Sequence, residues 1–263
     1  MTWYSIDAFR LVTPDPGHLA RFYAALGFGI GDERPIAADE MAMLGVAGRG
    51  TRLPLTCGDC RIELDWFEVG GRPYPADTAA ADTLFQHFAL VTADAAVDWS
   101  RALVAGAQPI SRDGPVTLPK AAGRVTAVKF RDPDGHPLEL LQFPDGEGST
   151  GVVRIDHSAI SVADAAASIA FYAARGLTLG DRTLNRGKEQ VELDGLDGAR
   201  VDVVSLLPRV GPPHLELLAY RSPRGRPHGR LAANDVAATR LVWSADADAL
   251  IRDPDGHLHQ LTG

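Results

Sequence analysis

Along this chain, short runs in which apolar residues dominate give way to segments where apolar positions recur every three to four residues, and the switch repeats. Four apolar runs, Ile6–Val12, Phe85–Val91, Ile155–Val162 and Thr239–Trp243, read as strands. After the first three, Asp15, Asp94 and Asp164 stand where a helix N-cap belongs, and Pro16 suits a first helical turn. Leu19, Phe22 and Leu26 then recur at helical spacing, as do Val97, Leu103 and Val104 more loosely. Gly27, Gly106 and Gly176 come where those helices should stop. Short strands follow, the last two as a hairpin turning at Gly58-Asp59, at Pro133-Asp134-Gly135 and at Asp255-Gly256, with a longer connection around Gly211-Pro212-Pro213. The fourth stretch has no room for a helix. About ten residues separate Trp243 from its turn, and one strand at ~3.3 Å per residue must come from them.

This periodicity has an internal echo. FYAALGFGIGD at Phe22–Asp32 reappears as FYAARGLTLGD at Phe171–Asp181, and the same register aligns Ile6-Asp7 with Ile155-Asp156 and Asp15 with Asp164. RDPDGH occurs at Arg131–His136 and again at Arg252–His257. The expected architecture is therefore α+β, four related βαβββ modules with the last truncated to strands. The expected halves are 1–146, holding modules one and two, and 152–263, holding module three and the helix-less module four. Gly70–Ala81, Pro144–Gly151 and Arg221–Arg230 are candidate linkers.

Composition narrows the chemistry. A net charge of −8 and a pI near 5.4 argue against a nucleic-acid partner, which needs a basic face. No apolar run reaches the roughly 18 residues that span a bilayer, so no membrane association is expected. The opening Met1-Thr2-Trp3-Tyr4 lacks a basic segment followed by an apolar one, and two cysteines, Cys57 and Cys60, make no disulfide framework. A cytoplasmic protein, monomeric or homodimeric, is expected.

A strand followed by a helix ending in FYxxxG, together with a DPDGHxxEL hairpin, resembles the vicinal oxygen chelate superfamily of glyoxalases, bleomycin-resistance proteins and extradiol dioxygenases. The resemblance covers nearly the whole chain. It implies paired modules curled into a cup, with metal ligands from the first strand and the last strand of each module. Carried over by position, the first-strand site holds Ala8, His87, His157 and Thr239, and the last-strand site holds Glu63, Glu139, Glu216 and Gln260. The strand pattern agrees independently: Glu63, Glu139 and Glu216 each lie between two aliphatic residues, so each carboxylate points away from its neighbours' apolar face.

Two pairings remain open at this stage. In fused glyoxalases the second module pairs with the third, which would bring His87, Glu139, His157 and Glu216 together as metal ligands and leave Ala8, Glu63, Thr239 and Gln260 as an inert site. In dioxygenases the first pairs with the second, and neither resulting set has two histidines and one carboxylate. The first pairing is favoured. It predicts about one divalent ion per chain, Zn, Ni, Co, Mn or Fe. That ion would hold vicinal oxygens of a small-molecule substrate while Glu139 or Glu216 moves a proton, as in a glyoxalase-like lyase or isomerase. The alternatives are a metal-free, drug- or ligand-binding protein of bleomycin-resistance type and an extradiol-type dioxygenase. Cys57-Gly58-Asp59-Cys60 reads as turn-flanking residues, His136 and His257 as exposed turn neighbours, and Asn185–Gly195 as a polar surface loop that could lend Gln190 to a pocket. His214, two residues before Glu216, could share its cavity side.

Overall fold

The computed structural model describes residues 1–58, 60–146 and 151–263. Asp59 of the first hairpin turn and residues 147–150 of the expected central linker lie outside the described residues.

Module one comprises β1 (Trp3–Val12), α1 (Pro16–Ala25), β2 (Gly29–Ile30), β3 (Arg34–Pro35), α2 (Ala38–Leu44), β4 (Gly50–Cys57) and β5 (Cys60–Phe67). Module two comprises β6 (Gln86–Thr92), α3 (Ala95–Val104), β7 (Gln108–Pro109), β8 (Val116–Thr117), β9 (Thr126–Arg131) and β10 (Pro137–Gln142). Module three comprises β11 (Val152–Ser161), α4 (Ala165–Ala173), β12 (Thr178–Arg186), α5 (Lys188–Asp194), β13 (Arg200–Leu207) and β14 (His214–Ser222). Module four is strands alone: β15 (Arg240–Ala245), β16 (Ala249–Arg252) and β17 (Leu258–Thr262). The chain is α+β, and the three aspartate caps mark α1, α3 and α4, while α2 and α5 start without a side-chain cap. Asp15, Asp94 and Asp164 each accept backbone N–H groups at the start of α1, α3 and α4, satisfying donors the first turn leaves unpaired.

Two sheets result. One runs β16-β17-β15-β1-β5-β4-β2, and the other β12-β13-β14-β11-β6-β10-β9-β7. β1 meets β15 and β6 meets β11, both antiparallel, so module one shares a sheet with module four and module two with module three. The sheets pack through one core, in which the Phe9 and Phe88 rings lie 5.1 Å apart and α1, α3 and α4 bury Phe22, Trp99 and Tyr172.

The two motifs that repeat in sequence hold each other in space. Tyr23 of the first FY pair donates to Asp132 of the first RDPDGH (3.1 Å), and Tyr172 of the second donates to Asp253 of the second (2.9 Å). Each aspartate's other oxygen accepts two backbone N–H groups inside its turn, from Asp134 and His136 and from Asp255 and His257. A helix of one module is thus tied to the hairpin of the next. His136 and His257, expected at the surface, are buried instead. His136 bridges Asp132 Oδ2 (2.8 Å) and Val236 O (3.1 Å), and His257 Nε2 reaches Ser161 O (3.1 Å). A turn residue is exposed only when nothing crosses the turn, and here the neighbouring module does.

Two linkers are also clipped reciprocally. Arg72 of the first binds Asp235, just past the other, through its backbone N–H (2.8 Å) and guanidinium (2.6 Å), and Arg226 of the second binds Asp82, just past the first, the same way (2.7 Å each). Module four lacks a helix, as its length requires. The polar segment read as a loop at Asn185–Gly195 instead completes β12 and forms α5, which ends at Gly195 in the left-handed conformation (φ 65°). Its module-one counterpart, α2, ends the same way at Gly45 (φ 68°). Each is only seven residues long, too short for periodicity to reveal. No helix among the described residues is long and apolar enough to cross a membrane.

Candidate functional site

Register fixes which residues are equivalent. In the ladders between first and last strands, Glu63 pairs with Arg10, Glu139 with Ala89, Glu216 with Ala159 and Gln260 with Val242. Two residues before each partner, on the same face, stand Ala8, His87, His157 and Arg240. The fourth first-strand position is therefore Arg240 and not Thr239. The antiparallel ladders agree, because Arg10 pairs with Arg240 where Ala159 pairs with His87.

In the sheet of modules two and three, His87, Glu139 and His157 converge. One ligand atom from each lies within 4.8 Å of the others, and all three side chains are buried. His87 Nε2 is 3.0 Å from Glu139 Oε2, and His157 Nε2 lies 3.8 Å from that same oxygen and 3.6 Å from Glu216 Oε2. The two longer separations exceed a good hydrogen bond and leave room for a cation between the groups. Glu216 joins the trio through His157 alone. A β-bulge between Ile155 and His157 turns Asp156 toward the same cavity, where its Oδ2 sits 3.0 Å from His157 Nδ1 and orients the ring.

Electrostatics favour a positive charge here. Burial disfavours a charged His157 ring, yet the charge of Glu216 and hydrogen bonds to Asp156 and Glu139 push it up to about 10. Burial pushes Glu139 up, but the Lys129 charge and the two imidazoles pull it well below the carboxylate range. Two imidazole nitrogens and carboxylate oxygens are a donor set that fits Mn, Fe, Co, Ni or Zn.

The space in front of these groups is a cavity of about 390 Å³. Leu118, Leu141, Phe143 and Val201 give it an apolar side. Its other side is a buried polar knot. Lys129 Nζ donates to Asp194 Oδ1 (2.7 Å), and Gln190 Nε2 and Tyr220 OH donate to Asp194 Oδ2 (2.7 and 2.8 Å). Gln190, which the sequence offers to a pocket, lines this one, while no sequence motif singles out Lys129, Asp194 or Tyr220. Lys129 was findable by the rule that singled out Glu139, since it stands between Val128 and Phe130 in a strand.

The sheet of modules one and four has the same plan with the hollow filled. Glu63 is fully buried under Arg10 (2.7 Å), Arg34 (2.9 Å), Arg52 and Arg61. Arg52 grips Asp65 with two nitrogens (2.6 and 2.8 Å), and Arg240, with no exposed surface, donates to Asp65 and to Ala233 O. Register makes Arg10, Arg52 and Asp65 the counterparts of Ala159, Val203 and Leu218 in the hollow half. Guanidinium groups thus occupy the volume that stays open on the other side. Glu40 of α2 completes the cluster by accepting from Arg10, Arg52 and Gln260.

Comparison with known proteins accords with this plan. The sequence profile of the Glyoxalase/Bleomycin resistance protein/Dioxygenase superfamily matches residues 5–140. Glyoxalase I from Zea mays is similar in fold, with a TM-score of 0.61 at 16% identity over 98% of this chain and 91% of that one. A mutant of the same enzyme gives 0.59 at 16% identity over 98% and 92%. No curated protein matches the sequence. The profile spans more than half of the chain, and the chain belongs to the Glyoxalase/Bleomycin resistance protein/Dioxygenase superfamily.

Proposed function

We propose that this protein is a metal-dependent, glyoxalase-like lyase or isomerase acting on a small substrate with vicinal oxygens. The observation that carries the reading is the convergence of His87, Glu139 and His157 from three strands of two modules at the base of one cavity, with Glu216 beside them. His87, Glu139, His157 and Glu216 would hold the ion. A divalent ion there supplies Lewis acidity toward two adjacent substrate oxygens. The module pairing supports the glyoxalase side of the superfamily, since it is the one the resemblance associates with fused glyoxalases.

The protein's own groups divide the remaining work. Glu139 is held between both imidazoles and is suited to staying in place. Glu216 touches His157 at 3.6 Å and, among the described residues, is otherwise held by contacts of 3.4 Å from Ser205 and His214, so it is the freer carboxylate to take a proton from substrate carbon and return it. The apolar wall seats the substrate's carbon skeleton and excludes water. The Lys129–Asp194 pair fixes α5 against the cavity.

Metal content after purification without chelators tests the site. Wild-type protein and Glu63→Ala should retain a bound divalent ion, and His157→Ala should lose it. Equal loss from both substitutions would place the ion elsewhere. Chemistry is tested with hydroxyacetone in D₂O: wild type should exchange its carbon-bound protons by NMR and Glu216→Gln should not. Exchange that survives in Glu216→Gln removes that residue from the proton step.

A further inference from the structure

Three imidazoles stand in a row across the hollow sheet. The His87 and His157 rings are 5.8 Å apart, and the His157 and His214 rings 5.4 Å. His214 is the ladder partner of His157 on the neighbouring strand, so both project from the same face. The row is longer than one ion needs. Ligand atoms of Asp156, His157 and His214 form a second group within 4.8 Å of one another, which shares His157 with the His87, Glu139 and His157 group. Glu216 spans the two. Its Oε2 faces His157 Nε2 at 3.6 Å, while its Oε1 faces His214 Nε2 at 3.4 Å. Neither contact is a strong hydrogen bond, and both have the spacing of ligands around an ion.

We infer that the cavity carries a second divalent-cation site, made by Asp156, His214 and the outer oxygen of Glu216 beside the first. Glu216 would bridge the pair, as a carboxylate with two lone pairs on each oxygen can. Two-ion sites typically place their ions about 3.5–4 Å apart. Charge supports this. Glu139, Asp156, Asp181 and Glu216 line the cavity, whose buried cation Lys129 is paired with Asp194. Arg154 pairs with one oxygen of Asp156, and carboxylates still outnumber the cations around the cavity. The two groups also differ in access: His87, Glu139 and His157 are buried, whereas Asp156 and His214 are half-buried, so the second site is the one open to exchange. On the proposed catalytic reading, which this inference rests on only in this clause, an ion on Glu216 Oε1 would restrain the carboxylate that moves the proton, and filling the outer site would slow turnover.

The test is a Mn²⁺ titration of the metal-stripped full-length protein, followed by equilibrium dialysis and electron paramagnetic resonance. Wild type should take up two equivalents and show a spin-coupled spectrum when both are bound. His214→Ala and Asp156→Asn should each take up one at the same concentrations, weakened at least about tenfold for the second, and lose the coupled signal. His87→Ala should instead lose the tighter equivalent. His214→Gln serves if the alanine variant melts early, because it keeps bulk without the imidazole. One equivalent in wild type, unchanged in His214→Gln and Asp156→Asn, overturns the second site and leaves the first standing. Loss in His214→Gln with no loss in His87→Ala upholds the outer site and removes the inner one.

Discussion

Removing the Arg240 guanidinium should cost this protein much of its stability without touching its metal chemistry. Arg240 has no exposed surface, and it sits in a cluster of three carboxylates, Glu40, Glu63 and Asp65, with the buried guanidiniums of Arg10, Arg52 and Arg240 and the more exposed ones of Arg34 and Arg61. Burial and the neighbouring arginines draw Arg240 down to about 10 against the pull of Asp65, so it is still a cation at neutral pH. In Arg240→Met the stem is replaced and the charge is lost. Asp65 keeps Arg52 but, fully buried, loses one of its two guanidinium partners. Removing one partner of such a buried pair costs about 3–5 kcal/mol, a large share of the roughly 5–15 kcal/mol typical of folded domains. Urea denaturation followed by far-ultraviolet circular dichroism reads this as a lower midpoint with an unchanged slope. Metal stoichiometry should stay at the wild-type value. A loss below about 1 kcal/mol, or a loss of bound metal in Arg240→Met, would refute the reading of this cavity as an arginine-filled structural site.

Two further outcomes follow from the same geometry. Burial works against the Glu40 carboxylate, but Arg52 and Arg10, with Gln260, outweigh it and bring it to about 2. Because the folded value lies below the usual 4.5, its stabilisation is complete above pH 4.5 and is lost as pH falls through 2, amounting to roughly 3 kcal/mol at most; Glu40→Gln should flatten that part of the stability profile measured by denaturation between those pH values. Tyr172→Phe should cost about 1–3 kcal/mol in the same assay, since its hydroxyl bonds Asp253 and His259 in the interior, and a neutral effect would mean the repeated motifs are not what joins helix to hairpin.

Much of this architecture is legible in the sequence because it rests on local signals. Asp15, Asp94 and Asp164 cap helices by contacts within three residues, and the length after Trp243 forbids a helix by counting. The repeats also mark the two halves of a long-range lock, Tyr23 with Asp132 and Tyr172 with Asp253, although nothing in the strings says that they touch. What sequence cannot supply is register. The family resemblance carries Thr239 to the first-strand position that His87 holds, but the ladder puts Arg240 there, a shift of one residue that exchanges the cavity face for the opposite one. The arginine-filled cavity escaped for a related reason. Arg10, Arg52 and Arg240 sit on three strands distant in sequence, and each alone reads as an ordinary charged residue. The burial of His136 and His257 is not legible locally, because the segments that cover them, around Val236 and Ser161, come from elsewhere in the chain.

The central claim is that His87, Glu139, His157 and Glu216 hold a divalent ion. X-ray absorption at the zinc edge, on full-length protein loaded with one equivalent, tests it most directly. The account predicts a first shell of nitrogen and oxygen at about 2.0–2.2 Å, with outer-shell scattering from two imidazoles that falls to one in His87→Ala. A shell containing sulfur at about 2.3 Å, which would point to Cys57 and Cys60, or an imidazole count unmoved by His87→Ala, would contradict it.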